Sequence, residues 1–180
     1  MRSSVPDFNL IVVHEPGIEN YERVRNYVKQ LLGNRVIYTY SYQSVVLYKC
    51  LDDPHECAKT IREGSHRAGV PIIKSIPVDY VVKANIEFVK EAVRKLVDRI
   101  PQGETFRVTL QGHLEKIEED YSIELSSNEA VREIASEVNR PVNLVEPDWV
   151  VYVRVIKIGL AKVAAVSVLK PYELARIPVE

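Results

Sequence analysis

The stretch that decides the fold of the N-terminal half is RVIYTYSYQSVVLYKCLDDPHE, residues 35–56. Two runs rich in β-branched and aromatic residues, Arg35–Tyr42 and Ser44–Lys49, flank a short polar break and predict a β-hairpin. Directly after them, Asp53-Pro54-His55-Glu56 offers a helix cap, a proline at the first helical position and an acidic residue three positions after the cap. The stretch therefore predicts two strands and a helix in immediate succession.

The flanking residues complete a recognisable order. On the N-terminal side, Phe8–Val13 predicts a strand, and a helix follows that Asn20 can cap and Gly33 can end. On the C-terminal side, the helix of the central stretch is expected to end near Gly64, and a fourth strand spans Ile72–Ile76. The order β-α-β-β-α-β is that of a ferredoxin-like domain.

The C-terminal half has a different pattern. Asn85 opens an amphipathic helix, and a strand follows over Thr105–Leu110. A capping box, Ser126-Ser127-Asn128-Glu129, begins another helix. Two long strands, Trp149–Ile156 and Leu160–Leu169, are predicted to form a hairpin. The chain is thus predicted to be an α+β protein of two domains.

Composition limits the classes of function. Of 180 residues, 46% are hydrophobic and 27% charged, which excludes a disordered or collagen-like chain. The formal net charge of −1 excludes a strongly basic nucleic-acid coat, so any RNA contact must come from a local patch. The first apolar run, Leu10–Val13, is too short for a signal peptide or a membrane span, so we expect a cytoplasmic protein without membrane contact. Only 12 Asn and Gln residues, with abundant Val, Ile, Lys and Glu, point towards a thermophile.

The sequence lacks the usual signatures of cofactor and metal sites. It has no glycine-rich phosphate loop of either common type, so we expect no cofactor. Cys50 and Cys57 do not have C-x-x-C spacing, and we interpret them as packed thiols, with a disulfide as the alternative. No two of the four histidines are four residues apart, so no metal site is predicted. The acidic run Glu118-Glu119-Asp120 is interpreted as a solvated loop, and Trp149 as a packing anchor.

Basic and hydrogen-bonding residues accumulate in the C-terminal half. Such side chains suit recognition of RNA by its shape and its phosphates. The candidate RNA-binding residues are Arg107, Gln111, His113, Lys116, Arg132, Arg140, Lys162 and Lys170.

Several segments together resemble the THUMP domain. They are Ile76–Val82, Glu104–Val108, Val142–Val153 and Val166–Leu169. The match is to the tRNA acetylation adaptor group, which pairs with the RNA cytidine acetyltransferase to make N4-acetylcytidine in tRNA. That group also has a ferredoxin-like domain before its THUMP domain, so the resemblance covers the whole chain. At position 143 this chain has Asn where the group often has Asp.

The resemblance implies a ferredoxin-like domain over residues 1–78, a THUMP domain over 79–172 and a loosely held tail over 173–180. It further implies a non-catalytic protein that binds the acceptor arm and end of tRNA and presents the tRNA to the acetyltransferase. Other THUMP proteins carry a catalytic domain on the same polypeptide, for which this chain has no room.

Two other classes of function stay open on the sequence alone. The first is a small stand-alone enzyme that uses a thiol or carboxylate, such as Cys50 or Asp148, in a cleft between the domains. The second is an interaction module that contacts a protein through a sheet edge.

Overall fold

A computed structural model describes residues 7–178 of the chain. In chain order, the elements in these residues are β1 (Leu10–His14), α1 (Ile18–Leu32), β2 (Val36–Tyr42), β3 (Val45–Cys50), α2 (Pro54–Ala68), β4 (Ile72–Pro77), β5 (Tyr80–Lys83), α3 (Ile86–Leu96), β6 (Phe106–Gln111), β7 (Glu115–Glu118), β8 (Tyr121–Glu124), α4 (Ser127–Ala135), β9 (Trp149–Ile158), β10 (Ala161–Leu169) and α5 (Pro171–Leu174). The chain divides into two units, which we call the first unit (residues 7–78 and 172–178) and the second unit (79–171).

The first unit is an antiparallel sheet covered on one face by two helices. Its strands lie in the order β2-β3-β1-β4, which is the ferredoxin-like order that the sequence predicts. Val24 and Val28 of α1 and Ile61 of α2 are fully buried against Leu10 and Val46 of the sheet. Burial of these aliphatic side chains on one sheet face is what stabilises this unit.

Both helices of the first unit differ from the predicted boundaries at one end. α1 begins at Ile18 after Gly17, while the amide of Asn20 donates a hydrogen bond to the Pro16 carbonyl at 2.8 Å. α2 has the predicted Asp53 cap, which accepts a bond from the His55 N–H at 2.9 Å. However, α2 continues past Gly64 to Ala68. The helix ends at Gly69, whose φ of +66° is left-handed, whereas Gly64 faces α1, where a Cβ would meet the Tyr27 hydroxyl. Gly64 is a packing residue and does not end the helix.

The second unit is a mixed sheet with two helices on one face. The strand order is β5-β10-β9-β6, in which only the β6–β9 pair is parallel among the described strands of this sheet. α3 and α4 pack on it through a core that includes Ile86, Val93, Phe106, Ile134 and Val166. Strand β5 and the small β7–β8 hairpin were not expected; the acidic run at 118–120 forms the turn of that hairpin. The α+β fold class is confirmed.

The C-terminal residues differ from the predicted loose tail. Residues 172–178 belong to the first unit, where Ile177 is 3% exposed and its N–H donates to the Ile73 carbonyl at 2.7 Å. Glu173 is buried and contacts His55 Nδ1 at 2.8 Å. These contacts hold residues 173–178 against the first unit; residues 179–180 of the predicted tail, like residues 1–6 of the predicted first domain, lie outside the described residues.

Cys50 and Cys57 form a disulfide, with their Cα atoms 6.4 Å apart. The bond joins the end of β3 to the first turn of α2, and both residues are buried in the core of the first unit. This corrects the interpretation of the two cysteines as free thiols, because their spacing of seven positions spans one strand-to-helix junction. In the described part of the chain, every helix is too short or too polar to cross a membrane.

Candidate nucleic-acid interface

The alternation of side chains along β6 and β10 separates the candidate residues. Phe106 and Val108 lie in the core under α3 and α4, so Arg107 and Gln111 project from the opposite face of the sheet. Ala164 and Val166 lie in the same core, which places Lys162 on the helix-covered face of β10. The predicted residues are therefore distributed over both faces of one sheet.

They are also distributed over both ends of that sheet. Lys162 stands near the start of β10 and Lys170 just beyond its end, a separation of roughly 26 Å along an extended chain. We define two groups from this: the Arg107 group (Arg107, Arg140 and Lys170) and the His113 group (Gln111, His113, Lys116 and Lys162). The structure does not bring the eight residues together as one strip, and Arg132 lies apart from both groups on the exposed side of α4.

In the Arg107 group, Arg140 and Lys170 are partly buried and have structural contacts. Arg140 Nε donates to the Ile100 carbonyl at 2.8 Å, so it satisfies a backbone oxygen just beyond α3. Lys170 Nζ lies 4.2 Å from the centre of the Trp149 ring and 3.9 Å from Glu104. Trp149 packs on the core of the second unit, as predicted, and its indole N–H donates to Glu104 at 2.7 Å. Arg107 is the exposed cation of this group.

Arg107 holds a loop that displays apolar side chains. Its Nη1 donates to the Leu144 carbonyl at 2.9 Å, and the Asn143 side-chain oxygen accepts bonds from two backbone N–H groups of the same loop at 3.0 Å. Because Asn143 acts only as an acceptor in these bonds, the Asp that the resembling group often has could do the same. Val142, Leu144 and Val145 are nevertheless 56%, 66% and 87% exposed. Sequence reasoning missed these three residues, although a segment of aliphatic residues between Pro141 and Pro147 was a visible signal.

Asp148 closes this loop against the start of β6. Its carboxylate accepts bonds from the Thr105 N–H at 2.9 Å and from the Thr105 hydroxyl at 3.1 Å. These bonds lower the pKa of Asp148 below its usual value, because they favour the charged form. The carboxylate is thus a structural acceptor and is poorly suited to the general acid or base role of the enzyme hypothesis.

The His113 group lies where β6 ends. Gly112, with φ at +94°, turns the chain out of β6 tightly against Val155, and His113 follows it on the surface. Lys162 Nζ lies 3.9 Å from a carboxylate oxygen of Glu115, so β7 and the start of β10 are neighbours. The Gln111 side-chain oxygen accepts a hydrogen bond from the Tyr152 hydroxyl. Lys116 is half-buried in the β7–β8 hairpin, whose acidic residues reduce the positive potential there.

Within residues 7–178, no group of three or more His, Cys, Asp or Glu side chains is placed to hold a metal ion.

No protein-family model and no curated protein sequence matches the chain. The solved structures that are similar to it include the following three. The crystal structure of PH1313 from Pyrococcus horikoshii Ot3 is 17% identical with a TM-score of 0.64, and the match covers 91% of this chain and 55% of that one. A 4-thiouridine synthetase in complex with RNA and bound ATP is 14% identical with a TM-score of 0.56, over 92% of this chain and 42% of that one. TrmN from Thermus thermophilus is 15% identical with a TM-score of 0.52, over 95% of this chain and 47% of that one.

These similarities define the class of fold, an α+β chain with a ferredoxin-like domain followed by a THUMP-like domain. The chain spans about half the length of each of these three solved structures.

Proposed function

We propose that the chain is a tRNA-binding protein that acts in tRNA modification in the cytoplasm. The observation that carries the proposal is the match of both units, in one alignment, to a 4-thiouridine synthetase that was solved with RNA, together with the THUMP resemblance in the sequence. The second unit supplies exposed cations for RNA phosphates, with Arg107 and Arg132 the clearest candidates.

The finer proposal is that the chain is a non-catalytic adaptor. It binds the acceptor arm and end of tRNA and presents the tRNA to the RNA cytidine acetyltransferase for N4-acetylation. This part is supported by the resemblance of its motifs to the tRNA acetylation adaptor group. Two contacts on one tRNA, one from each protein, would make the assembly tighter than either contact alone.

Gel shift with total tRNA at low and moderate salt tests RNA binding and locates it. We expect Arg107→Ala to weaken binding about tenfold and to lower the log–log salt slope by about one, because one phosphate contact is lost. The double variant Lys116→Ala/Lys162→Ala tests the His113 group in the same way. Arg94→Ala is the matched control, since Arg94 is an exposed cation on α3 that pairs with Glu137. If the control loses as much affinity as Arg107→Ala, the Arg107 group is not a binding site.

The adaptor role is tested by reconstitution. We expect N4-acetylcytidine in tRNA only when the acetyltransferase, acetyl-CoA and ATP are present together with this protein. Acetylation by the pure protein without the partner, or full activity of the partner without this protein, would contradict the adaptor role while leaving tRNA binding intact.

A further inference from the structure

A stripe of polar residues runs along α1 of the first unit, beside the buried face of the helix. Tyr21, Arg25 and Lys29 recur at intervals of four residues, so they lie one above the other along one flank of the helix. With Glu22 and Asn26 they line an open surface depression of about 340 Å³. Val24 and Val28 bury the adjacent face of α1, which fixes the direction of the stripe.

Arg25 is held rigidly in this stripe. Its guanidinium carbon lies 3.7 Å from the centre of the Tyr38 ring, and Nη1 donates to the Tyr21 hydroxyl at 2.8 Å. Tyr38 is itself fixed, because its ring meets the buried Tyr48 ring edge-on with centres 6.3 Å apart and its hydroxyl bonds Ser41 at 2.8 Å. The bonds from Ser41 and Arg25 also lower the pKa of Tyr21.

Arg25 has N–H donors beyond those that its tyrosine neighbours, Tyr21 and Tyr48, engage. A guanidinium has five N–H donors in a fixed plane, and only one of them is used by Tyr21. Stacking and one hydrogen bond orient the plane before a ligand arrives, so little conformational entropy is lost on binding. Lys29, one turn further on, adds an exposed cation to the same depression.

We propose that Arg25, Lys29 and Asn26 form a second RNA contact, a phosphate-binding site on α1 that is separate from the candidate residues of the second unit. The inference rests on the proposed tRNA-binding function. A planar guanidinium group binds a phosphate through two parallel hydrogen bonds to its oxygens. Guanidinium and tyrosine planes also stack on unpaired bases. Tyr38, which is 39% exposed beside Arg25, supplies such a plane. An RNA strand can contact both the cations and the exposed Tyr38 ring, whereas a phosphorylated peptide would leave that ring without a role.

Glu22 allows a test in which the affinity for tRNA should rise instead of fall. Its carboxylate lines the same depression and repels a phosphate. Glu22→Gln keeps the shape of the side chain and removes the charge, so it should tighten tRNA binding. Lys29→Ala removes a cation that takes no part in the tyrosine stack, so it should weaken binding without disturbing the fold.

The experiment measures binding of fluorescently labelled total tRNA to the full chain at two salt concentrations. We expect Arg25→Ala to weaken binding about tenfold and Lys29→Ala several-fold, each with a lower salt slope. Arg25→Lys should weaken it by an intermediate factor, because it keeps the charge and loses the planar fork. Arg23→Ala is the matched control: Arg23 is exposed on the same helix but about 200° around it from Arg25, and should leave the affinity unchanged.

The outcomes separate this inference from the proposed function. If the unaltered chain binds no tRNA, the proposed function fails and this inference with it. If the unaltered chain binds tRNA but Arg25→Ala, Lys29→Ala and Glu22→Gln all match it, only the α1 site is wrong. Equal losses for Arg23→Ala and Arg25→Ala would also overturn the site, because they would show a general charge effect. The thermal midpoint of each variant shows whether its fold is retained. If Arg25→Ala is unstable, the tRNA affinity of Lys29→Ala decides whether the α1 site exists.

Discussion

At the scale of single residues, Gly112 combines a positive φ with a close packing contact. Its φ of +94° is unfavourable for residues with a side chain, and a Cβ at this position would lie 2.7 Å from Val155 Cβ. We expect Gly112→Ala to lower the free energy of unfolding by about 2–4 kcal/mol, from backbone strain and overpacking together. Urea unfolding followed by far-UV circular dichroism measures the change.

Gly103→Ala is the matched control for this prediction. Gly103 has a similar φ of +89°, but a Cβ there meets nothing within 4 Å. The free energy of unfolding of Gly103→Ala should therefore fall by about 1 kcal/mol, which is the cost of the backbone conformation alone. Equal losses for the two variants would show that the contact with Val155 is unimportant.

At the scale of elements, the Cys50–Cys57 disulfide fastens β3 to α2. Closing a loop of this length restricts the unfolded chain and is worth about 2.5 kcal/mol by the entropic treatment. We expect a reducing agent to lower the thermal midpoint of the protein, and Cys50→Ala/Cys57→Ala to be less stable and no longer sensitive to the reducing agent. If the double variant responds to reduction as the unaltered protein does, the effect comes from elsewhere.

Helix starts that depend only on residues nearby in the sequence could be predicted. Asp53, Asn85 and Ser126 cap their helices as predicted, because a cap bonds N–H groups only two or three residues away. Gly64 was misread because its small size serves contact with another helix, which the local sequence does not show. Strand β5 was missed because it is four residues long and pairs with β10, some eighty residues later.

The candidate site was harder to predict for the same physical reason. Lys162 and Lys170 are close in sequence, yet an extended strand carries them to opposite ends of the sheet. Arg140 is positive and near the others, but its guanidinium bonds backbone carbonyls after α3. Residue type and spacing therefore identified cations without showing which are free for a ligand. The stripe of Tyr21, Arg25 and Lys29 had the readable helical spacing, but the stacking of Arg25 on Tyr38 depends on the fold.

At the scale of the whole molecule, the chain leaves the first unit after Val78 and returns to it at Tyr172. Ile177 is the buried anchor of the returning segment. We expect Ile177→Ala to lower the free energy of unfolding by about 2–4 kcal/mol, since it removes a buried aliphatic side chain. Arg176→Ala is the control: its pair with Glu15 is exposed and should contribute less than about 1 kcal/mol. Chemical denaturation compares the two, and equal effects would mean that the segment is held by its charges.

The returning segment also sets an order of events during synthesis. A ribosome adds Ile177 about 100 residues after Val78, a delay of roughly 5–20 s at ordinary rates of translation. Throughout that interval, the nascent first unit has apolar surface beside Ile73 that its final occupant has not yet covered. The second unit is continuous in sequence and can finish folding before the first. Of the two units, the one whose synthesis begins earlier is thus the one that is completed later.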